Sequence, residues 1–364
     1  MKVSEITSFL EQFAPLGLQE AYDNSGLHIG HGSQNVSKAL ITLDVTDEVV
    51  KEAVENECNM IVAHHPLIFN SLKKINTKSG IGAIIAKLIK EDIALYAIHT
   101  NLDNIAEGVN AKLAETLGLQ KLQILAPKSG TLHKLVVFCP VSHVENVQQA
   151  MFDAGAGNIG NYNSCSFNSA GYGTFKAQEG ADPFVGEIDK LHKEEELKIE
   201  VVLPSYLTQQ VVAAMIQVHP YEEVAYDIYP LSNEQKNTGA GMIGELDIES
   251  DPEDFLQMVK RKLNASCIRH SSFIKRKIKK VAICGGSGSF LIHNAYKANA
   301  DVFITGDVKY HDFFEHAGEM TIVDAGHFET EQFTKELLYD RLNGKFPNFA
   351  LQISKARTNP IYFL

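Results

Sequence analysis

The chain has 364 residues, long enough for two or three domains with cores of their own, and its 45% hydrophobic and 21% charged content is that of a folded globular protein. A net charge of -12 argues against a general nucleic-acid binder, which carries a basic face, but leaves room for a small anionic substrate met by a metal or by backbone amides. The opening Met1-Lys-Val-Ser-Glu-Ile6 lacks the apolar core of a signal peptide, no apolar run reaches membrane-spanning length, and the five cysteines (Cys58, Cys139, Cys165, Cys267, Cys284) read as free thiols of a cytoplasmic protein.

In chain order, residues 4–13 predict a helix capped by Ser4, with Ile6, Phe9, Leu10 and Phe13 on its apolar face. Tyr22-Asp-Asn-Ser-Gly26 is turn chemistry, followed by an alternating segment to Ile29. A strand over 39–43 ends at Asp44, a helix follows over 47–57, and the short apolar strand 60–63 runs into His64, His65 and Pro66. A helix near 82–90 and a strand over 93–98 lead to His99-Thr-Asn-Leu-Asp103; a helix over 108–117 then stops at Gly118. Strands alternating with helices predict a largely parallel α/β lobe over 1–125.

Composition shifts at Ala126-Pro-Lys-Ser-Gly130, read as a linker. Beyond it come a strand (132–139), a helix (144–152), a glycine-interrupted strand region (164–177), a strand (198–203), a helix (207–218) and a strand (223–229). That β-α-β-β-α-β order predicts an inserted ferredoxin-like α+β domain over 126–240. The insert carries 14 acidic residues against 7 lysines and no arginine. A second α/β lobe over 241–364 completes the fold class: two α/β lobes forming one unit, interrupted by the insert. Its elements are a helix opened by Asp251-Pro252, a strand over 280–284 running into Gly285-Gly-Ser-Gly-Ser289 and a helix, a strand over 300–305 ending in Gly306-Asp307, a strand over 320–323 leading to Asp324-Ala-Gly-His327, and a helix over 329–342.

Histidine or carboxylate follows an apolar strand in three places: His64 with His65, His99 with Asp103, and His327 with Glu331. An open parallel sheet puts its chemistry there, beyond the carboxyl ends of its strands. Neighbouring side chains on a strand point apart, so His64 and His65 can serve one pocket only where the strand gives way to a loop. His327 and Glu331 stand one helical turn, about 5.4 Å, apart on one face, so the ring can hold one ion while the carboxylate bridges to a second. Asp103 can add a further oxygen. With no cysteine spacing for structural zinc, three imidazoles and two carboxylates suit zinc, iron, manganese or cobalt. Two such ions about 3.5–4 Å apart would make a hydroxide nucleophile at neutral pH. Each fragment alone has an ordinary reading as a strand-end cap, a helix-start hydrogen bond or a turn former.

His99 reads as a residue that orients a ligand or faces substrate rather than as a ligand. The glycine run 285–289 admits two readings, amides that bind phosphate or a tight strand-to-helix turn, and it lacks a P-loop lysine. Lys275-Arg-Lys-Ile-Lys-Lys280 reads as a solvated flank of the next strand. His219-Pro-Tyr-Glu-Glu223 reads as a turn with surface charges.

Taken together, Tyr22-Asp-Asn-Ser-Gly26-Leu27, His64-His65-Pro66, His99-Thr-Asn-Leu-Asp103, Gly285-Gly-Ser-Gly288, Ile304-Thr-Gly-Asp307 and Asp324-Ala-Gly-His327-Phe-Glu-Thr-Glu331 resemble the Nif-three-like family, many of whose bacterial members are described as GTP cyclohydrolase 1 type 2 homologues. The segment from His219 to Asp227 resembles the long members, whose insert is similar to signalling proteins of the nitrogen-regulatory trimer type. The resemblance implies a dinuclear centre at His64, His65, Asp103, His327 and Glu331, holding two divalent ions (zinc, iron or manganese), and a toroidal homohexamer with the inserts at its open ends. Tyr22 stands where the family usually has tryptophan, and His28 occupies a usually less polar place at the pocket's edge.

The resemblance further implies metal-dependent hydrolysis of a small-molecule, nucleotide substrate. GTP ring opening is the reaction the family's naming suggests, in which a metal-bound hydroxide would attack C8 of guanine, with no residue singled out as acid or base. Spacing selects no substrate. Two-metal phosphoester cleavage, and a non-catalytic regulatory assembly with the insert as sensor or docking module, stand beside it.

Overall fold

Helix α1 (Val3–Phe13) opens the chain and buries Val3, Ile6 and Leu10. It starts earlier than a Ser4 cap predicts, because the Glu5 carboxylate accepts the Lys2 amide at 2.6 Å and draws Ser4 into the first turn. The computed structural model describes residues 1–364. After α1 come β1 (Gly26–Ile29), β2 (Lys38–Thr42), α2 (Asp47–Glu55), β3 (Met60–Ala63), α3 (Gly80–Lys90), β4 (Ala94–Ala97), α4 (Thr100–Asp103), α5 (Val109–Leu117) and β5 (Gln120–Ser129). The middle of the chain forms β6 (Leu132–Pro140), α6 (Val144–Asp153), β7 (Ser166–Lys176), β8 (Leu191–Pro204), α7 (Thr208–Val218) and β9 (Tyr226–Leu231). The rest forms β10 (Glu234–Ser250), α8 (Pro252–Lys262), β11 (Arg269–His270), β12 (Ile278–Ser287), α9 (Ile292–Lys297), β13 (Val302–Gly306), β14 (Thr321–Asp324), α10 (His327–Glu331), α11 (Thr334–Lys345) and β15 (Ala350–Ile353).

The chain divides into two units, Met1–Pro127 with Lys236–Leu364, and Lys128–Gln235. The first holds two sheets. One has the order β1-β4-β3-β2-β15, parallel except for β1. Every residue of β3 and β4 is buried, as expected of parallel strands covered on both faces. The other has the order β11-β14-β13-β12-β10-β5, with β12, β13 and β14 parallel and β10 and β11 antiparallel to their neighbours. Strand β15 pairs along β2 from the far end of the sequence. Past it, Glu52 of α2 accepts hydrogen bonds from the Lys355 amide and the Ser354 hydroxyl, at 2.9 and 2.5 Å.

The second unit is an antiparallel sheet of order β7-β8-β6-β9. Leu135, Val137, Ile199 and Val201 on one face pack with Val147, Met151, Val211 and Met215 of α6 and α7. This is the ferredoxin-like arrangement that the element order predicts. Strand β8 is longer than expected, because Glu194 to Glu196, poor strand formers by propensity, pair along β7 all the same.

Three expectations need correcting. The linker expected at 126–130 is mostly strand: Ala126 to Ser129 close β5, which neighbours β10. The helix expected over 329–342 is broken at Gln332 and Phe333, with no glycine or proline to announce it. Gln332 Nε2 there donates to the Leu263 carbonyl at 2.8 Å, a tertiary tie invisible in sequence. The glycine run does not open a helix directly, since β12 continues through Ser287. All five cysteines are free, and no helix is long and apolar enough to cross a membrane.

Candidate metal centre

Where β3 ends, its ladder runs on for two residues: the His64 amide donates to Thr42 O and the His65 amide to Leu43 O, at 3.2 and 2.9 Å. The two rings diverge to different neighbours but keep their centroids 4.9 Å apart. His64 Nδ1 donates to the Ile98 carbonyl, just past β4, at 2.8 Å. His65 Nδ1 donates to Asp44 Oδ1, just past β2, at 2.7 Å. Beyond β4 the chain turns into α4, whose last residue is Asp103.

From the other sheet, β14 ends at Asp324, and Gly326, at φ +96°, swings the chain into α10 with His327 and Glu331 one turn apart. His327 Nδ1 donates to Asp307 Oδ2, just past β13, at 2.7 Å. The strand ends of both sheets thus meet. His65 Nε2 and His327 Nε2 each lie 3.0 Å from Glu331 Oε2. His64 Nε2 lies 3.9 Å from Glu331 Oε1 and 3.7 Å from Asp103 Oδ1. Three groups can each hold a metal ion: His65, His327 and Glu331; His64, Asp103 and Glu331; and His64, His65 and His99.

The donor chemistry fits a cation. His64, His65 and His327 all use Nδ1 on an oxygen acceptor, which fixes each tautomer and aims Nε2 inward, the usual arrangement of metal-ligating histidine. His64 Nε2 and Asp103 Oδ1 are both buried and neither has a hydrogen-bond partner. Two unsatisfied acceptors facing each other in the interior are costly, and a positive ion between them removes the cost.

Burial drives the Asp103 carboxyl well above its usual range, and the Glu331 charge adds to the effect. Burial acts the same way on Glu331, but the His327 charge and the imidazole hydrogen bonds override it and hold Glu331 low. Burial keeps the His64 ring down and neutral, as a ligand must be. On His65, burial is outweighed by Asp44 and Glu331, which hold the ring up at about 10. On His327 it is outweighed by the Glu331 charge and the Asp307 hydrogen bond, which hold that ring at about 11. Two imidazolium protons thus sit where cations fit.

His99 Nδ1 donates to Asp23 Oδ1 at 2.7 Å, and Asp23 also accepts from the Thr100 amide at 3.0 Å, so Nε2 is the nitrogen left for the cleft. Burial would raise the Asp23 carboxyl, but the His99 and Thr100 hydrogen bonds hold it far below its usual range. The cleft is a cavity of about 570 Å³. Tyr22, Phe69, Phe290 and Phe328 contribute aromatic surface to it, and no lysine or arginine lines it. His28 is not among the lining residues: its Nε2 donates to the Asn24 carbonyl at 2.7 Å.

The three glycine amides of the run are not free to bind phosphate. The Gly285 amide donates to Asn110 Oδ1, Gly286 to Thr330 Oγ1 and Gly288 to Thr305 Oγ1, at 2.9, 3.0 and 2.9 Å. Their real service is steric: Gly286 has φ +62°, and a Cβ there would come within 2.2 Å of Glu331 Oε1. His219 is not a surface group either, being buried with Nε2 donating to the Phe138 carbonyl at 3.0 Å. The basic run flanks β12 as expected, Arg276 pairing with Asp301 at 2.7 Å. Sequence reasoning gave no role to Asp23, Asp44 or Asp307. The one available signal was an acid just past a strand or in a turn, at Asp44 and Asp307 in the same position as the histidines.

A family model described as Duf34/NIF3 (NGG1p interacting factor 3) matches residues 1–360. A Bacillus subtilis protein named GTP cyclohydrolase 1 type 2 homolog is 41% identical over 368 residues, covering 99% of this chain and 98% of its own. A Staphylococcus epidermidis protein of the same name is 35% identical over 368 residues, covering 100% of both. Among solved structures, a Bacillus cereus protein related to NIF3 superposes with TM-score 0.83 at 42% identity, covering 100% of this chain and 99% of its own.

Proposed function

The chain belongs to the Duf34/NIF3 family, and from that premise we propose that it is a metal-dependent hydrolase of small molecules whose centre holds two divalent ions, zinc, iron or manganese. His65, His327 and Glu331 would hold one and His64, Asp103 and Glu331 the other, with Glu331 shared. The observation that carries this reading is the buried, partnerless pair His64 Nε2 and Asp103 Oδ1. Two such ions supply Lewis acidity and lower the pKa of water. The chain's own residues do the rest: Asp44 and Asp307 orient ligand rings, while His99, held by Asp23, presents Nε2 to hold or pass a proton.

Relatives carry the name GTP cyclohydrolase 1 type 2 homolog, so opening of the guanine ring with release of formate is the reaction to test first. The aromatic lining suits a planar ring, whereas the lack of lysine and arginine and the engaged glycine amides offer a triphosphate little. Ring recognition therefore ranks above phosphoester cleavage. We carry forward a cytoplasmic homohexamer as the setting, with light scattering as its check.

The test is elemental analysis of full-length protein purified without chelating resin, followed by formate detection with GTP and with guanosine. Metal in the protein and formate from either substrate support the reading. A His64→Ala protein that lacks metal yet turns over substrate at the unaltered rate would sink it.

A further inference from the structure

The sheet of the inserted unit has one face under α6 and α7, while Phe138, Glu196 and Lys198 alternate onto the other. Gly171 pairs with Glu196 and Gly173 follows it along β7, so two positions on that face carry no side chain. The result is a cavity of about 620 Å³, lined mainly by apolar groups, with Tyr221 and Phe184 among its walls. The segment bearing Phe184 is tied down by the Asp182 amide, which donates to Glu222 Oε2 at 2.9 Å. Tyr221 has ring centroids 6.3 Å from Phe184 and 6.2 Å from Phe175.

A carboxylate lies in this apolar setting. Glu196 is only 8% exposed, and its Oε1 accepts the Tyr221 hydroxyl at 2.8 Å. A Cβ at position 173 would come within 2.2 Å of Glu196 Oε2, so the glycine makes the room the carboxylate occupies. No lysine or arginine pairs with Glu196. The single basic residue lining the cavity, Lys198, turns its ammonium to Glu200 Oε1 at 2.6 Å. Burial and the Glu196 carboxylate push the Tyr221 phenol up, so it stays a donor. Tyr221 is the only donor the chain offers this carboxylate, and Oε2 stays reachable through the cavity, where a donor from outside can meet it. Glu222 and Glu223 also line the cavity, adding negative charge.

We propose that this cavity is a binding site for a small organic ammonium ion, its charged head on Glu196 and its apolar body among Phe138, Phe175, Phe184 and Tyr221. Aromatic faces attract ammonium groups as well as apolar surface, and a cavity of this size is in the range that takes a small ligand. The site lies wholly within the Lys128–Gln235 unit and does not rest on the hydrolase reading.

The test uses the full chain and two probes of nearly equal size, benzylammonium and neutral benzyl alcohol, titrated by ligand-observed NMR. Benzylammonium is expected to bind at least about tenfold more tightly, with NOEs to the Phe175 and Tyr221 rings. In Glu196→Gln, which retains an oxygen for Tyr221, that preference is expected to vanish with the melting temperature unchanged. Equal binding of the two probes, no binding of either, NOEs only to Tyr22 or Phe69 of the cleft, or an undiminished preference in the variant would each overturn the proposal. The probe contrast and the NOEs are read on the unaltered protein, so they decide even if the variant folds poorly.

Discussion

His65 and Glu331, 266 positions apart in the chain, meet at 3.0 Å between Nε2 and Oε2. The same carboxylate oxygen lies 3.0 Å from His327 Nε2, so one buried side chain gathers rings from both sheets. Glu331→Gln removes the negative charge without changing the shape. Metal content is expected to fall below that of the unaltered protein, with affinity dropping by more than the roughly 10–100-fold typical of losing a residue that only orients a ligand. Elemental analysis and circular dichroism of the variant check this; a full metal complement in a folded Glu331→Gln protein would show the ligand set to be wrong.

Asp307 touches only the far nitrogen of His327, at 2.7 Å, and is itself held low chiefly by that hydrogen bond. Its backbone has φ +54°, a conformation asparagine tolerates well, so Asp307→Asn should leave the loop in place. Metal affinity is then expected to fall roughly 10–100-fold. Competition against a chelator measures it, and an unchanged affinity would remove Asp307 from the centre's machinery.

Gly286→Ala tests the steric role of the glycine run. The positive φ penalises any side chain, and the new Cβ would sit 2.2 Å from Glu331 Oε1. Displacement of Glu331 is expected to cost metal binding, whereas Gly80→Ala, also at positive φ but with open space around its Cβ, should leave metal content intact. Metal loss in both variants, or in neither, would count against the steric account.

Protein stripped of metal should lose stability as pH rises. The His65 and His327 rings are raised from an ordinary 6.5 to about 10 and about 11, so in the folded state they bind protons that the unfolded chain releases earlier. Their contribution is complete below about 6.5 and fades as pH climbs through the two raised values. The melting temperature of the stripped protein is expected to decline between pH 7 and 10, while metal-loaded protein shows no such decline, because cations replace the protons. Metal uptake at pH 7 should accordingly release protons. A flat profile for stripped protein over that interval would contradict the electrostatic picture.

The strand ends were readable because an apolar run of four, such as Met60 to Ala63, stops where a parallel sheet delivers its chemistry, and histidine is conspicuous there. Asp23, Asp44 and Asp307 were not, because an acid in a turn or after a strand is commonplace until a ring nitrogen is found 2.7 Å away. The glycine run misled for a related reason. Its amides look free in sequence, yet Asn110, Thr330 and Thr305, all remote in the chain, occupy them.

By itself, then, the sequence determined the alternation of strands and helices, the ferredoxin-like insert and the residue types available to a cation, since periodicity and donor chemistry are local properties. Only the tertiary structure decided that His64 Nε2 and Asp103 Oδ1 face each other 3.7 Å apart without partners, that β15 joins the first sheet, and that Glu196 lines an aromatic-walled cavity with the Tyr221 hydroxyl on its Oε1. Those are distances between groups far apart in the chain, and packing sets them.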